Sequence, residues 1–231
     1  MSEYRTDEET IELAKSWWRD NGTKLVTGVA VALAVVLGFR AWQDHVREQN
    51  ETAADHFHQF EQTQDSTAPG VAQTRDFLYK QLRAEHAGSG YAPLAALLEA
   101  QRLAARKEFT AAAKELQWAI DNASSPHLKD VARLRLVRVQ WAQGDTAAAL
   151  KTLDTVDAAG FAGEINELRG DILVAKGDRS GAYAAYQAAV KADGKTHAPL
   201  LEMKRDDVAP AGADPASADP ASGNLVGGKS P

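Results

Sequence analysis

The 231-residue sequence predicts an all-α protein, in which a single N-terminal membrane-spanning helix leads into an α-solenoid of stacked helix pairs. Three observations carry this. Leu25 to Phe39 is a run of fifteen uncharged, mostly apolar residues between Lys24 and Arg40. Further on, small and large apolar residues recur at fixed offsets behind three turn positions, Lys107, Gly144 and Gly177. Between them the alanine-rich segments carry helical rather than alternating periodicity, punctuated by Gly- and Pro-containing turns.

Residues 1–24 form the first segment. Thr6-Asp7-Glu8-Glu9 reads as a capping box, so a short helix should follow, with Ile11, Ala14, Trp17 and Trp18 on one apolar face. Asn21-Gly22 is expected to end it. The simplest role for this helix is an interfacial lead-in that positions the span behind it.

Residues 25–42 form the membrane helix. Extended to Trp42 the run has eighteen residues, about 27 Å of helix against a hydrocarbon core of roughly 30 Å. Arg40 snorkels to the interface, and Trp17, Trp18 and Trp42 suit the headgroup zones on either side. A run this short also occurs in the cores of soluble proteins. A cleaved signal fits poorly, because the run starts behind twenty-four residues rich in carboxylates and Phe39-Arg40-Ala41-Trp42 lacks a small-residue cleavage pattern.

Arg5, Lys15, Arg19 and Lys24 precede the span, whereas Arg40 and Arg47 follow it. The positive-inside bias therefore keeps the N-terminus cytoplasmic and delivers the remainder across the membrane. The absence of cysteine suits an oxidising compartment. Together these point to a single-pass protein of a bacterial inner membrane with a periplasmic domain.

Residues 43–205 should be that domain. Gln43 to about Gln64 continues the helix, Thr67-Ala68-Pro69-Gly70 is a turn, and a second helix runs from about Val71 to His86 before Gly88-Ser89-Gly90. The three aligned turns then lie 37 and 33 residues apart. Ala112, Ala149 and Ala182 follow them at five positions, Leu116, Leu153 and Tyr186 at nine, and Ala119, Val156 and Ala189 at twelve. This pattern resembles the tetratricopeptide repeat, in which small residues stand where paired helices cross closely. The third copy is the most complete, with Gly170, Leu173 and Gly177 before its second helix. The second has Val137 and Gln140 in its first helix, and the first has Lys107 where the turn glycine belongs. Pro126 and Pro199 mark helix edges.

Residues 206–231 shift to Ala, Pro, Gly, Ser and Asp and should form a disordered tail, lacking the apolar residues needed to offset ordering entropy.

The net charge of −6 and the lack of a basic stripe interleaved with aromatics exclude a nucleic-acid surface. Catalytic chemistry is equally hard to place. Of the six histidines, His56 and His58 point apart on one helix, while His45, His86, His127 and His197 are scattered. Catalytic and nucleotide-binding signatures are missing, so neither an enzyme nor a cofactor is expected. A binding surface remains. In such repeats the first helices line the inner face, which places Leu94, Leu97, Leu98, Gln101, Arg135, Arg138, Trp141, Glu167 and Asp171 there, a mixture suited to an extended or helical peptide.

Several segments in one order resemble the YfgM family: Lys15-Ser16-Trp17-Trp18-Arg19-Asp20-Asn21-Gly22, Gly38-Phe39-Arg40-Ala41-Trp42, Leu134 to Gln140, Ala149 to Val156, and Leu168-Arg169-Gly170-Asp171 with Lys176-Gly177-Asp178. The likeness runs from about Glu8 to Val208; the proline-rich tail departs from it. It implies a non-enzymatic accessory subunit of the SecYEG translocon, associated with the membrane-anchored periplasmic chaperone PpiD, that meets nascent secretory chains and passes them to periplasmic chaperones. The competing expectation is a membrane-anchored periplasmic scaffold for envelope or cell-wall assembly proteins.

Overall fold

A single helix of 56 residues, α1 (Asp7–Gln62), opens the structure. The computed structural model describes residues 7–64, 66, 68–157, 160–193 and 199–210. Among these, eight further helices follow α1: α2 (Val71–Glu85), α3 (Tyr91–Ala105), α4 (Phe109–Asn122), α5 (Pro126–Ala142), α6 (Thr146–Leu153), α7 (Ala162–Ala175), α8 (Arg179–Asp193) and α9 (Pro199–Asp207). There is no strand among the described residues.

The break expected at Asn21-Gly22 does not occur. Helix α1 runs straight through, with the Asn21 amide donating back to the Trp17 carbonyl at 3.2 Å. The Trp18 indole lies over Gly22, where a β-carbon would come within 3.1 Å of the ring. A side-chain bond along the helix and a flat backbone beneath an aromatic ring thus hold two residues of low helix propensity in line. The Thr6 hydroxyl of the expected capping box lies outside the described residues, as does the tail beyond Pro210. Helix α9 nonetheless runs past Asp206 to Asp207, and Val208 is buried with Leu201 against α8.

Two stretches of α1 differ in environment. Between Leu25 and Trp42 the apolar side chains stand in the open, Val35 at 66% and Leu37 at 62% exposure, and no part of the most apolar window is buried. The helix is long and apolar enough to cross a membrane. From Ala53 the same helix enters a core, where Ala53 and Phe60 are buried with Leu78 and Leu82 of α2 and Ala92 and Ala95 of α3.

From α3 onward the helices pair in chain order, and the aligned turns explain why. At each, the residue two beyond the helix C-terminus adopts positive φ: 64° at Lys107, 85° at Gly144 and 79° at Gly177. The same two hydrogen bonds close each turn. Glu108, Asp145 and Asp178 donate their amides to the carbonyls of Leu103, Gln140 and Leu173, and the residue before each donates to Ala104, Trp141 and Val174. These are Schellman caps, one of them built on lysine instead of glycine. Asp145 and Asp178 then cap the next helix, accepting from the amides of Ala148 and Gly181; Glu108 makes no such bond.

The crossing positions match the spacing. Ala112, Ala149 and Ala182 are fully buried, as are Ala119 and Ala189. Pair sizes compensate between copies: Gly170 sits against Tyr186, where a β-carbon would fall 2.4 Å from the ring. The second copy's Val137 instead shares a core with the smaller Leu153. Gly and Val at one position are therefore not a weakening of the repeat but the two halves of a conserved-volume exchange.

Candidate functional site

The predicted inner-face residues do not form one surface. Leu94 packs against the α3–α4–α5 core and Leu98 against the α1–α2–α3 core, while Leu97 is buried. These leucines join helix to helix. Arg135 turns back to α3, donating to the Leu97 carbonyl at 3.4 Å, and Gln101 alone of the α3 set is exposed. The physical reason is that α3 is covered on two sides: α4 and α5 take Leu94 and Leu97, and α1 and α2 take Leu98.

Four of the predicted residues do converge. Arg138 and Trp141 from α5, with Glu167 and Asp171 from α7, line an open cavity of about 550 Å³ that also contains Ala142, Glu164 and Leu168. Helical spacing places them there, since Arg138 and Trp141 are three apart and Glu164, Glu167, Leu168 and Asp171 fall on one face of α7. The floor is apolar, with Trp141 resting on the cluster that includes Leu134, Val137 and Leu168.

Charged groups ring this floor in pairs. Arg138 donates to Glu164 at 2.6 Å, and the two side chains remain 49% and 40% exposed. Lys204 of α9 reaches across to Glu167 at 2.8 Å and Asp171 at 2.9 Å. Tyr186 donates its hydroxyl to Asp171 at 2.7 Å. Burial, and then the hydrogen bond to Asp171, push the Tyr186 phenol well above its ordinary pKa, so it stays a donor. For Lys204, burial works to lower the pKa, but the hydrogen bonds to Glu167 and Asp171 outweigh it and the ammonium is held above its usual value.

Glu164, Ala142, Leu168, Tyr186 and Lys204 belong to this site but were not among the predicted residues. Glu164 was readable, since it lies one helical turn before Glu167 and Leu168. Lys204 was not, because α9 follows Pro199 outside the repeat register.

A second polar cluster ties α2 to α4. Arg83 donates to Glu115 at 2.7 Å and lies over the Trp118 ring at 4.5 Å, while the Tyr79 hydroxyl donates to the same carboxylate. Burial, then Glu115, raise the Tyr79 pKa far above the usual phenol range. Its role is to join helices. The histidines were expected not to converge, yet His56 and His86 meet edge-on at 5.4 Å because α2 folds back on α1. No group of three His, Cys, Asp or Glu suited to a metal ion occurs among the described residues.

On the membrane side, Trp17, Trp18 and Trp42 are all exposed, and Arg40 lies on the same bare stretch of α1.

The chain matches the tetratricopeptide repeat-like domain over residues 15–210. It is 33% identical over 193 residues to a protein of Escherichia coli K12 called an ancillary SecYEG translocon subunit, covering 84% of this chain and 91% of that protein. Proteins of the same name from Haemophilus influenzae and Aggregatibacter actinomycetemcomitans are 27% and 28% identical, each alignment covering 87% of this chain and 97% of the relative. No solved structure gave a significant match.

Proposed function

This chain belongs to the tetratricopeptide repeat-like domain family, and from that premise we propose that it is an accessory subunit of the SecYEG translocon that works by binding, not catalysis. The observation carrying this is the extent of the likeness. A relative named as an ancillary translocon subunit aligns over 91% of its own length, and the family match runs from residue 15 through the apolar stretch of α1 to residue 210. The apolar helix fits a single-pass protein of the inner membrane. The excess of Lys and Arg before the span argues for a cytoplasmic N-terminus and a periplasmic repeat domain. There the groove between α5 and α7 receives segments of emerging secretory chains and hands them to periplasmic chaperones, with a PpiD-type membrane-anchored chaperone as its neighbour.

Two experiments test this. Full-length chain purified in mild detergent should co-isolate the channel subunits, and exchanging residues 25–39 for an unrelated apolar helix should abolish this if the contact lies in the bilayer. In cells, a photoreactive residue at Arg138 should trap nascent secretory chains or a periplasmic chaperone. Absence of channel subunits from the purified material would overturn the accessory role. Trapping only mature envelope enzymes would instead favour a scaffold.

A further inference from the structure

The groove already holds a cation from its own chain. Lys204 Nζ sits between Glu167 and Asp171, 2.8 and 2.9 Å from their oxygens, and 6.0 Å from the centre of the Tyr186 ring. Both carboxylates line the same cavity as Trp141 and Leu168. An ammonium seat and an apolar floor thus lie side by side. Helix α9, which supplies the cation, is only 9 residues long and is held by Leu201 together with Val208 just beyond it.

The charges around the cavity do not cancel. Glu164, Glu167 and Asp171 oppose Arg138 and Lys204, leaving one negative charge in excess. The Lys204 pairs are also partly open to solvent, with side-chain exposures of 28% for Lys204, 40% for Glu167 and 25% for Asp171. Ion pairs of that exposure contribute little net stability, so one cation can replace another in the seat at small cost.

We propose, building on the groove reading above, that this site selects polypeptide segments in which a lysine or arginine adjoins an apolar side chain. The incoming cation takes the seat between Glu167 and Asp171, and the apolar neighbour lies on Trp141 and Leu168. Lys204 is the internal competitor that such a segment displaces. An acidic segment meets the excess negative charge and is disfavoured.

The test uses the full chain in detergent micelles and short labelled peptides that are identical except for one central residue, Lys, Gln or Glu, beside a leucine. Fluorescence anisotropy should rank them Lys, Gln, Glu, with the Lys peptide less than fivefold tighter than the Gln peptide on the unaltered chain, where its ion pair replaces that of Lys204, and about fivefold tighter once Lys204 is removed. Lys204→Gln should tighten the Lys peptide further and leave the Gln peptide unchanged. Glu167→Gln combined with Asp171→Asn should erase the ranking. Should Lys204→Gln unfold, seen as lost helical circular dichroism, Lys204→Arg keeps a competitor in place and the peptide ranking on the unaltered chain still decides. Equal binding of all three peptides would overturn the selection while leaving a peptide groove intact; binding of none would overturn both.

Discussion

The two ends of the predicted inner face start from the same kind of sequence and finish differently. At the α3 end, Leu94 and Leu97 are absorbed into the core shared with α4 and α5, and Leu98 into the one that α1 and α2 supply as a further layer. At the α5–α7 end, Trp141 keeps an open face because the facing helix offers carboxylates rather than apolar side chains. Helical periodicity identifies which residues share a face; whether that face is a groove or an interior depends on what stacks on it, and only the neighbouring helices decide this.

Substitutions can break this contrast, and the largest effect belongs to the covered end. Phe60→Ala removes a fully buried ring from the α1–α2–α3 core and should cost about 3–5 kcal/mol, read as a lowered midpoint in urea unfolding. Trp141→Ala at the open end should cost only about 1 kcal/mol while abolishing crosslinks from the groove. Equal losses of stability would mean that Trp141 is core and the groove closed.

Next in size is the helix crossing of the third repeat. Ala182 is fully buried, so Ala182→Leu should overpack α7 against α8 and destabilise by about 1–3 kcal/mol. An unchanged thermal midpoint would remove the basis for the repeat register.

The smallest effect sharpens the comparison between turns. Lys107 adopts a φ of 64°, a backbone state that costs an L-residue about 1–2 kcal/mol. Lys107→Gly should therefore stabilise the domain by about 0.5–1 kcal/mol after allowing for the added freedom of the unfolded chain. A loss of stability would show that the lysine side chain contributes at this turn.

Much of this architecture was legible because it rests on short-range rules. The apolar run of α1, the edges at Pro126 and Pro199, and the alanines at the crossings all follow from spacing and propensity. Even Lys107 aligns by spacing with Gly144 and Gly177, and its backbone angle matches theirs. The continuity of α1 through Asn21-Gly22 was not legible, because it depends on how the Trp18 ring lies on the helix. Lys204 was hidden for a related reason: it reaches Asp171 across 33 positions of sequence, and no local pattern announces such a contact.

The unbroken α1 has a mechanical consequence. From Trp42 to Ala53, where the core begins, it advances eleven residues, about 16 Å of rigid spacer. A helix fixes bearing as well as height. Each residue added to this stretch turns everything beyond it by about 100° and lifts it by about 1.5 Å. The compass direction in which the groove faces, relative to whatever lies beside the span in the bilayer, is thus set by the number of residues between Trp42 and Ala53.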